Sequence, residues 1–169
     1  MKNKVKVKYH NTKLSKLERT AKGDCIDLRL NDVSLLYSNE HKNTMIKRDA
    51  DDNFICCRYQ KGDVLMLDLG VSMKLPKGYR ANIYPRSSTF KNTGWLLTNG
   101  TGIIDNSYNG SKDTWKAMVY CLRDGFVAFD ERYFQFEIVP VMDFYNDDFI
   151  EVDELEDGER GGYGTSGVQ

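Results

Sequence analysis

Apolar and polar residues alternate along much of the chain with a period of two. Val5-Lys-Val-Lys-Tyr9 alternates, and so does Ile26-Asp-Leu-Arg-Leu30. This is the pattern of strands with one face in a core and the other in water. Residues 64–71, VLMLDLGV, are almost continuously apolar and read as one strand buried on both faces. Further strands are predicted over 79–84, 115–122, 126–129 and 132–142. Pro76-Lys-Gly78 and Arg123-Asp-Gly125 are turn signals between them. No long segment carries the 3.6-residue period of an amphipathic helix. Ser87-Ser-Thr-Phe-Lys-Asn92 predicts one short helix, with serine as its N-cap. Many short strands joined by turns predict an all-β, jelly-roll-like fold.

Two segments break the alternation. Residues 37–61 read as an inserted hairpin, two modest β runs around Asp49-Ala-Asp-Asp-Asn53. The aspartates raise calcium, but the spacing lacks the central Gly and final Glu of an EF-hand. A solvated loop tip is the expected reading. From Glu151 to Glu159, six of nine residues are acidic, and Arg160 opens a glycine-rich stretch holding Tyr163. Such a tail has no core of its own. Residues 1–150 are therefore expected to form a single β domain, with 151–169 as a flexible arm. Glycine amides can close over phosphates, an arginine can pair with them, and a tyrosine can stack on a base. The tail has the composition of a lid.

Composition narrows the function classes. A chain of 169 residues is one domain in size. Its net charge of −1 supplies no global field for nucleic acid. No apolar run approaches the length of a membrane span, and MKNKVKVKYH lacks the apolar core of a signal peptide. Cys25, Cys56, Cys57 and Cys121 form no CxxC and have no neighbouring histidine, so they read as thiols of a reducing cytoplasm. His10 and His41 sit in polar surroundings and are expected at the surface.

Four polar signals interrupt the strands. Asp24 and Asp27 stand at a strand start, and Arg86, Ser87 and Ser88 at a strand end. TNGTGIIDNSYNG carries Asn99, Asp105 and Tyr108 in a glycine-rich turn expected to be a hairpin, and Gln135 is planted in an apolar strand. Taken singly, Asp27 and Gln135 are outward residues of alternating strands, and Arg86 is a partner for a surface acid. Together they are donors for phosphate, carboxylates for magnesium or water, an amide for a base edge and a ring for a sugar.

In order along the chain, GDCIDL, PRSS, NGTGIIDNSY, RYFQF and RGGYGTSG resemble the five motifs of the trimeric all-β dUTP diphosphatases, or dUTPases. The form found in Bacillus and its phages is the most similar. The resemblance implies Mg2+-dependent hydrolysis of dUTP to dUMP and pyrophosphate, which keeps uracil out of DNA and supplies dUMP for dTMP synthesis. It implies that Asp105 activates the attacking water. The turn would take the uracil edge through Asn99 and the main chain at Gly102 and Ile104, with Tyr108 under the deoxyribose. Arg86, Ser87, Ser88 and Gln135 would hold phosphates, and Asp27 the magnesium through water. Arg160 would act as an arginine finger, with Thr165 and Ser166 beside it. Tyr163, where many relatives have Phe, would be the stacking ring. Trp115 is a second candidate for that ring, and sheet packing is its other reading. The resemblance further implies a homotrimer with shared active sites. Rival readings are a dCTP deaminase, against which Asp113 stands where a Glu is needed, and a regulatory protein that meets a protein partner through 37–61. An inert jelly-roll protein is a third.

Overall fold

The computed structural model describes residues 4–38 and 43–154. Its thirteen strands are all antiparallel and form four sheets. The first pairs β1 (Lys6–Tyr9) with β7 (Val71–Lys74). The second has the order β10-β8-β13-β2, built from Gly102–Ile104, Tyr79–Pro85, Arg132–Pro140 and Ile26–Arg29. The third has the order β3-β6-β11-β9, from Asp32–Tyr37, Val64–Asp68, Lys116–Cys121 and Trp95–Leu97. The fourth, β12-β5-β4, comprises Gly125–Ala128, Phe54–Tyr59 and Met45–Arg48. The two four-stranded sheets face each other. Phe134, Phe136, Ala81 and Ile83 from one meet Leu65, Leu67, Ala117 and Val119 from the other, all buried. Trp95 of the third sheet crosses to Tyr133 of the second with ring centroids 5.1 Å apart. This is the jelly-roll-like sandwich that the alternation predicts. None of the helices in the described residues is long and apolar enough to cross a membrane.

The apolar run at 64–71 is two strands, not one. β6 ends at Asp68 and β7 begins at Val71 in a different sheet. Gly70 makes the break at φ +67°, where a β-carbon would fall 2.6 Å from Leu14 and 2.8 Å from Asn31. The Asp68 carboxylate accepts the Gly70 amide at 2.7 Å and closes the turn. An Asp inside an apolar run was the available signal. The strand expected to be buried on both faces alternates instead, with Leu65 and Leu67 buried and Met66 half-buried.

β4 and β5 pair around Asp49–Asn53, whose tip is closed from within. The Asp49 carboxylate takes the amides of Asp51 and Asn53 and the Asn53 side chain, and these bonds hold its pKa below the usual value. β5 also pairs with β12 and buries Phe54, Cys57 and Tyr59 in the main core. Cys57 and Cys121 are fully buried, and burial pushes each thiol up to about 12. These thiols are therefore neutral and unreactive in the folded protein. His10 is exposed, as expected, with its ring 2.7 Å from the Ser72 hydroxyl; His41 lies outside the described residues.

Candidate active site

β2, β8 and β13 lie side by side, and their register converges polar residues at one end of the sheet. Gln135 stands opposite Asp27 on one flank and opposite Tyr84 on the other. Beyond Tyr84 the strand ends at Pro85, which has no N–H to extend the ladder. The chain then turns through Arg86 and Ser87 into the short helix α1 (Thr89–Thr93). Thr89 pins this turn. Its hydroxyl accepts the Arg86 amide at 3.0 Å and donates to the Tyr133 carbonyl. Ser88 occupies the N-cap position but in a helical conformation, and its side chain makes no capping bond. The expected serine cap is replaced by Thr89 anchoring the turn to β13.

The result is a cleft of about 290 Å³ lined by Asp27, Arg86, Ser87, Arg132 and Gln135 together with Glu18, Asp24 and Cys25. Asp27 is shared between two arginines. Arg86 Nε lies 2.8 Å from Oδ1, and Arg132 Nη1 lies 3.1 Å from Oδ2. Arg86 also donates to the Arg132 carbonyl at 3.2 Å. The Cys25 thiol is held above its usual value by burial and by Glu137, Asp24 and Asp27, so it stays neutral. The sequence reading used Gln135 from RYFQF and passed over Arg132. The signal that identifies Arg132 is the register pairing β13 with β2, which a sequence does not print.

The turn at 98–110 is not a paired hairpin. β9 pairs with β11 in one sheet, while β10 pairs with β8 in the other. The chain therefore crosses from sheet to sheet at Asn99–Thr101, with Gly100 at φ +67°. Gly102 lies so close to β8 that a β-carbon there would sit 3.1 Å from the Ile83 Cβ. Ile104 is buried, and Asp105, next along the chain, is exposed. Asn106 fixes the exit by donating its side-chain amide to the carbonyls of Pro76 and Tyr79, at 2.7 and 2.8 Å. The Tyr108 amide bonds the Asp105 carbonyl at 3.0 Å, and its hydroxyl reaches the Thr114 carbonyl at 3.2 Å. Tyr108 is 40% exposed, and its phenol is held neutral chiefly by desolvation, with Asp113 and Asp68 adding to it. Asn99 is exposed as well.

The residues of the turn and those of the cleft stand at opposite ends of β8. Ile104 pairs with Ala81, so Asp105 follows beside Arg80, whereas Arg86 lies beyond Pro85. About six residues of strand, at about 3.4 Å each, separate them by roughly 20 Å. β10 and β2 are also opposite edges of the sheet. Trp115 is excluded as a lid ring, since it is fully buried edge-to-face against Phe136, 5.1 Å between centroids. Arg160, Tyr163, Thr165 and Ser166 lie outside the described residues.

The comparisons with known proteins bear on this geometry. No protein-family model matches the chain. A prophage-derived deoxyuridine 5'-triphosphate nucleotidohydrolase of Bacillus subtilis is 37% identical over 165 residues, which is 98% of this chain and 99% of that protein. The chain belongs to the dUTPase family. Solved dUTPase structures share the fold. That of Staphylococcus bacteriophage 80alpha, a mutant with dUpNHpp, superposes with a TM-score of 0.64 at 18% identity, covering 99% of this chain and all of that one. A mutant dUTPase from phage phi11 of S. aureus, described with a structural Mg(II) ion, superposes with a TM-score of 0.62 at 15% identity, covering 92% of this chain and 100% of that one. In this dUTPase, no group of three or more His, Cys, Asp or Glu side chains among the described residues is arranged as a metal cage. Asp27 is the cleft carboxylate whose two oxygens already receive arginine donors. That suits a magnesium ion held by substrate phosphates and met through water.

Proposed function

We propose that the protein hydrolyses dUTP to dUMP and pyrophosphate, with magnesium, and does so as a homotrimer whose sites are shared between copies. The observation that carries this reading is the convergence of Asp27, Arg86, Ser87 and Gln135, far apart in sequence, on one cleft. Arg86, with Ser87 and Gln135, takes the triphosphate. Asp27 would keep Arg132, release Arg86 to the phosphates and hold magnesium through water. The metal, when bound, neutralises phosphate charge. Ser88 lends a second hydroxyl at the mouth of the phosphate turn.

The turn at 98–110 supplies the other half. Asn99 and the main chain at Gly102 and Ile104 take the uracil edge, which needs both a donor and an acceptor. Tyr108 lies under the sugar and leaves no room for a 2′-hydroxyl. Asp105 aligns a water and accepts its proton as the water oxygen bonds to the α-phosphorus and the bridge to the β-phosphate breaks. A water held by Asp105 must touch a phosphorus held by Arg86, yet in one chain the two are roughly 20 Å apart along β8. The turn of one copy therefore meets the cleft of another. The arm, 151–169, closes the composite site with Arg160, Tyr163, Thr165 and Ser166. A cytoplasmic place of action fits the reduced, buried thiols.

A protein partner on the 37–61 segment is a second reading. The register aligns Met45, Arg58 and Phe126, all exposed, in one outward row across β4, β5 and β12. Pull-down with and without Met45→Ser and Phe126→Ser tests it, and equal recovery removes it. The main reading is tested by pyrophosphate release from a panel of dNTPs with magnesium. Release from dUTP alone supports it. Ammonia from dCTP, or no release from any, refutes it.

A further inference from the structure

In the proposed reaction Tyr108 lies under the sugar, and what holds its ring there is a second, smaller loop just beyond it. Residues 108–114 form no strand. At the hydroxyl end of the ring, Tyr108 donates to the Thr114 carbonyl at 3.2 Å. That carbonyl is aimed from behind. The Trp115 amide donates to the Val71 carbonyl of β7 at 2.8 Å, and in a trans peptide the N–H and C=O point opposite ways. The Thr114 carbonyl therefore points away from β7, and the fully buried Trp115 ring fixes this peptide to the core.

The backbone end of the ring is more open. Tyr108, Asn109, Gly110 and Ser111 are all exposed. Between the ring and its acceptor the chain must reverse, and Asp113 makes that reversal. Its carboxylate accepts the Gly110 amide at 2.6 Å, while its own amide donates to the Gly110 carbonyl at 3.1 Å. Both polar groups of Gly110 thus end on one residue. The fit requires a glycine, since a β-carbon at position 110 would fall 2.7 Å from Asp113 Oδ2. Lys8 of β1 steadies the next carbonyl, that of Ser111, at 2.9 Å. Asp113 takes part in no ion pair among the described residues, so its carboxylate is spent on this clasp. Desolvation, and after it the Asp113 charge, keeps the phenol protonated, so the ring stays a donor to Thr114.

We propose that Asp113 is a positioning residue for sugar selection: by clasping Gly110 it holds the Tyr108 ring in the space that a 2′-hydroxyl would need. The inference deepens the dUTPase reading and rests on it. Asp113 touches no substrate atom. It acts by narrowing the range through which the ring can swing. A ring tied at its hydroxyl alone, by an exposed bond, moves aside for a ribose at little cost, because water readily replaces such a bond. A ring tied at both ends does not. Discrimination is then set by how firmly the ring is held as well as by its presence.

The test compares kcat/KM for dUTP and for UTP in the full chain, with Tm read alongside. Asp113→Ala should lower the dUTP-to-UTP ratio by roughly fivefold, on the scale of one lost hydrogen bond, mainly by raising kcat/KM for UTP. Asp113→Asn keeps an acceptor for the Gly110 amide and should keep most of the ratio. Gly110→Ala pushes the carboxylate off the amide from the other side and should match Asp113→Ala. A change that merely loosens the fold slows both nucleotides alike and leaves the ratio where it was. In a Tyr108→Ala background, Asp113→Ala should have no further effect on the ratio, because the ring it holds is gone. An unchanged ratio in Asp113→Ala, or a further fall in the double variant, overturns the proposal and leaves the clasp as loop packing. Equal loss in Asp113→Asn and Asp113→Ala also overturns it, because the charge and not the clasp would then act. If the unaltered protein releases pyrophosphate from neither nucleotide, the dUTPase reading fails and the proposal falls with it.

Discussion

The two ends of β8 are built in opposite ways. At one end, the charges at the heart of the cleft are already paired: Asp27 is shared between Arg86 and Arg132. At the other end, Asn106 and the β8 ladder fix the backbone of the turn, yet Asp105 and Asn99 project into solvent and Tyr108 is partly exposed. The cleft must break contacts to accept a ligand. At the turn, the Asp105 and Asn99 side chains have no partner to break among the described residues, but the turn by itself has nothing to act on. The contrast teaches that an incomplete site can be rigid, with its rigidity invested in the β8 ladder and the Asn106 anchor rather than in partners of the acting side chains.

The largest effect is expected at the tip of the turn. Asp105→Asn keeps the shape and removes the proton acceptor, so kcat should fall by at least about a hundredfold while Tm and dUpNHpp affinity stay near those of the unaltered protein. Stopped-flow proton release measures it, and near-normal turnover would move water activation elsewhere. Asn106→Ala comes next. It removes both bonds that aim the turn, each worth about 1 kcal/mol, and leaves Asp105 chemically intact. A roughly tenfold loss in kcat with little change in KM is expected, because a misplaced base costs rate more than binding. Equal kcat would mean that the β8 ladder alone fixes the aim.

Smaller effects separate sugar from phosphate. Tyr108→Ala should lower the ratio of kcat/KM for dUTP over UTP by roughly tenfold or less, the scale of filling or emptying a small pocket. An unchanged ratio assigns sugar discrimination to another residue. The smallest effect is expected in the cleft. Arg132→Ala leaves Asp27 with one donor, and that one is needed by phosphate. KM for dUTP and the magnesium concentration at half-activity should each rise by about threefold, with Arg132→Lys intermediate, the scale of one partly exposed ion pair. Magnesium titration of dUpNHpp binding reads this without turnover, and an unshifted titration would show that Arg86 alone positions Asp27.

The strands were legible wherever alternation was clean, as at Lys6–Tyr9, Ile26–Arg29 and Arg132–Pro140. Asp32–Tyr37 was missed because Leu35-Leu36-Tyr37 does not alternate and the ladder itself slips register there. The apolar run at 64–71 hid a break that only the crowding at Gly70 explains. In the site, Asp27, Arg86, Ser87 and Gln135 announced themselves by residue type, but Arg132 needed the β13–β2 register. The hairpin at 98–110 was misread because turn composition shows that a chain turns, not which strand it turns toward. Nothing in the sequence placed Asp105 and Arg86 at opposite ends of one strand.

That separation is the central claim, and mixing tests it most directly. Asp105→Asn chains keep the cleft, and Arg86→Ala chains keep the turn; each alone should be nearly inactive toward dUTP. Unfolded together and refolded, random trimers should place an intact cleft against an intact turn at about a quarter of the sites, following directly from a ring of identical contacts. Recovery of roughly a quarter of the unaltered protein's kcat is the predicted result, on the same ring arithmetic. Activity no higher than the sum of the two separate variants would contradict the shared site.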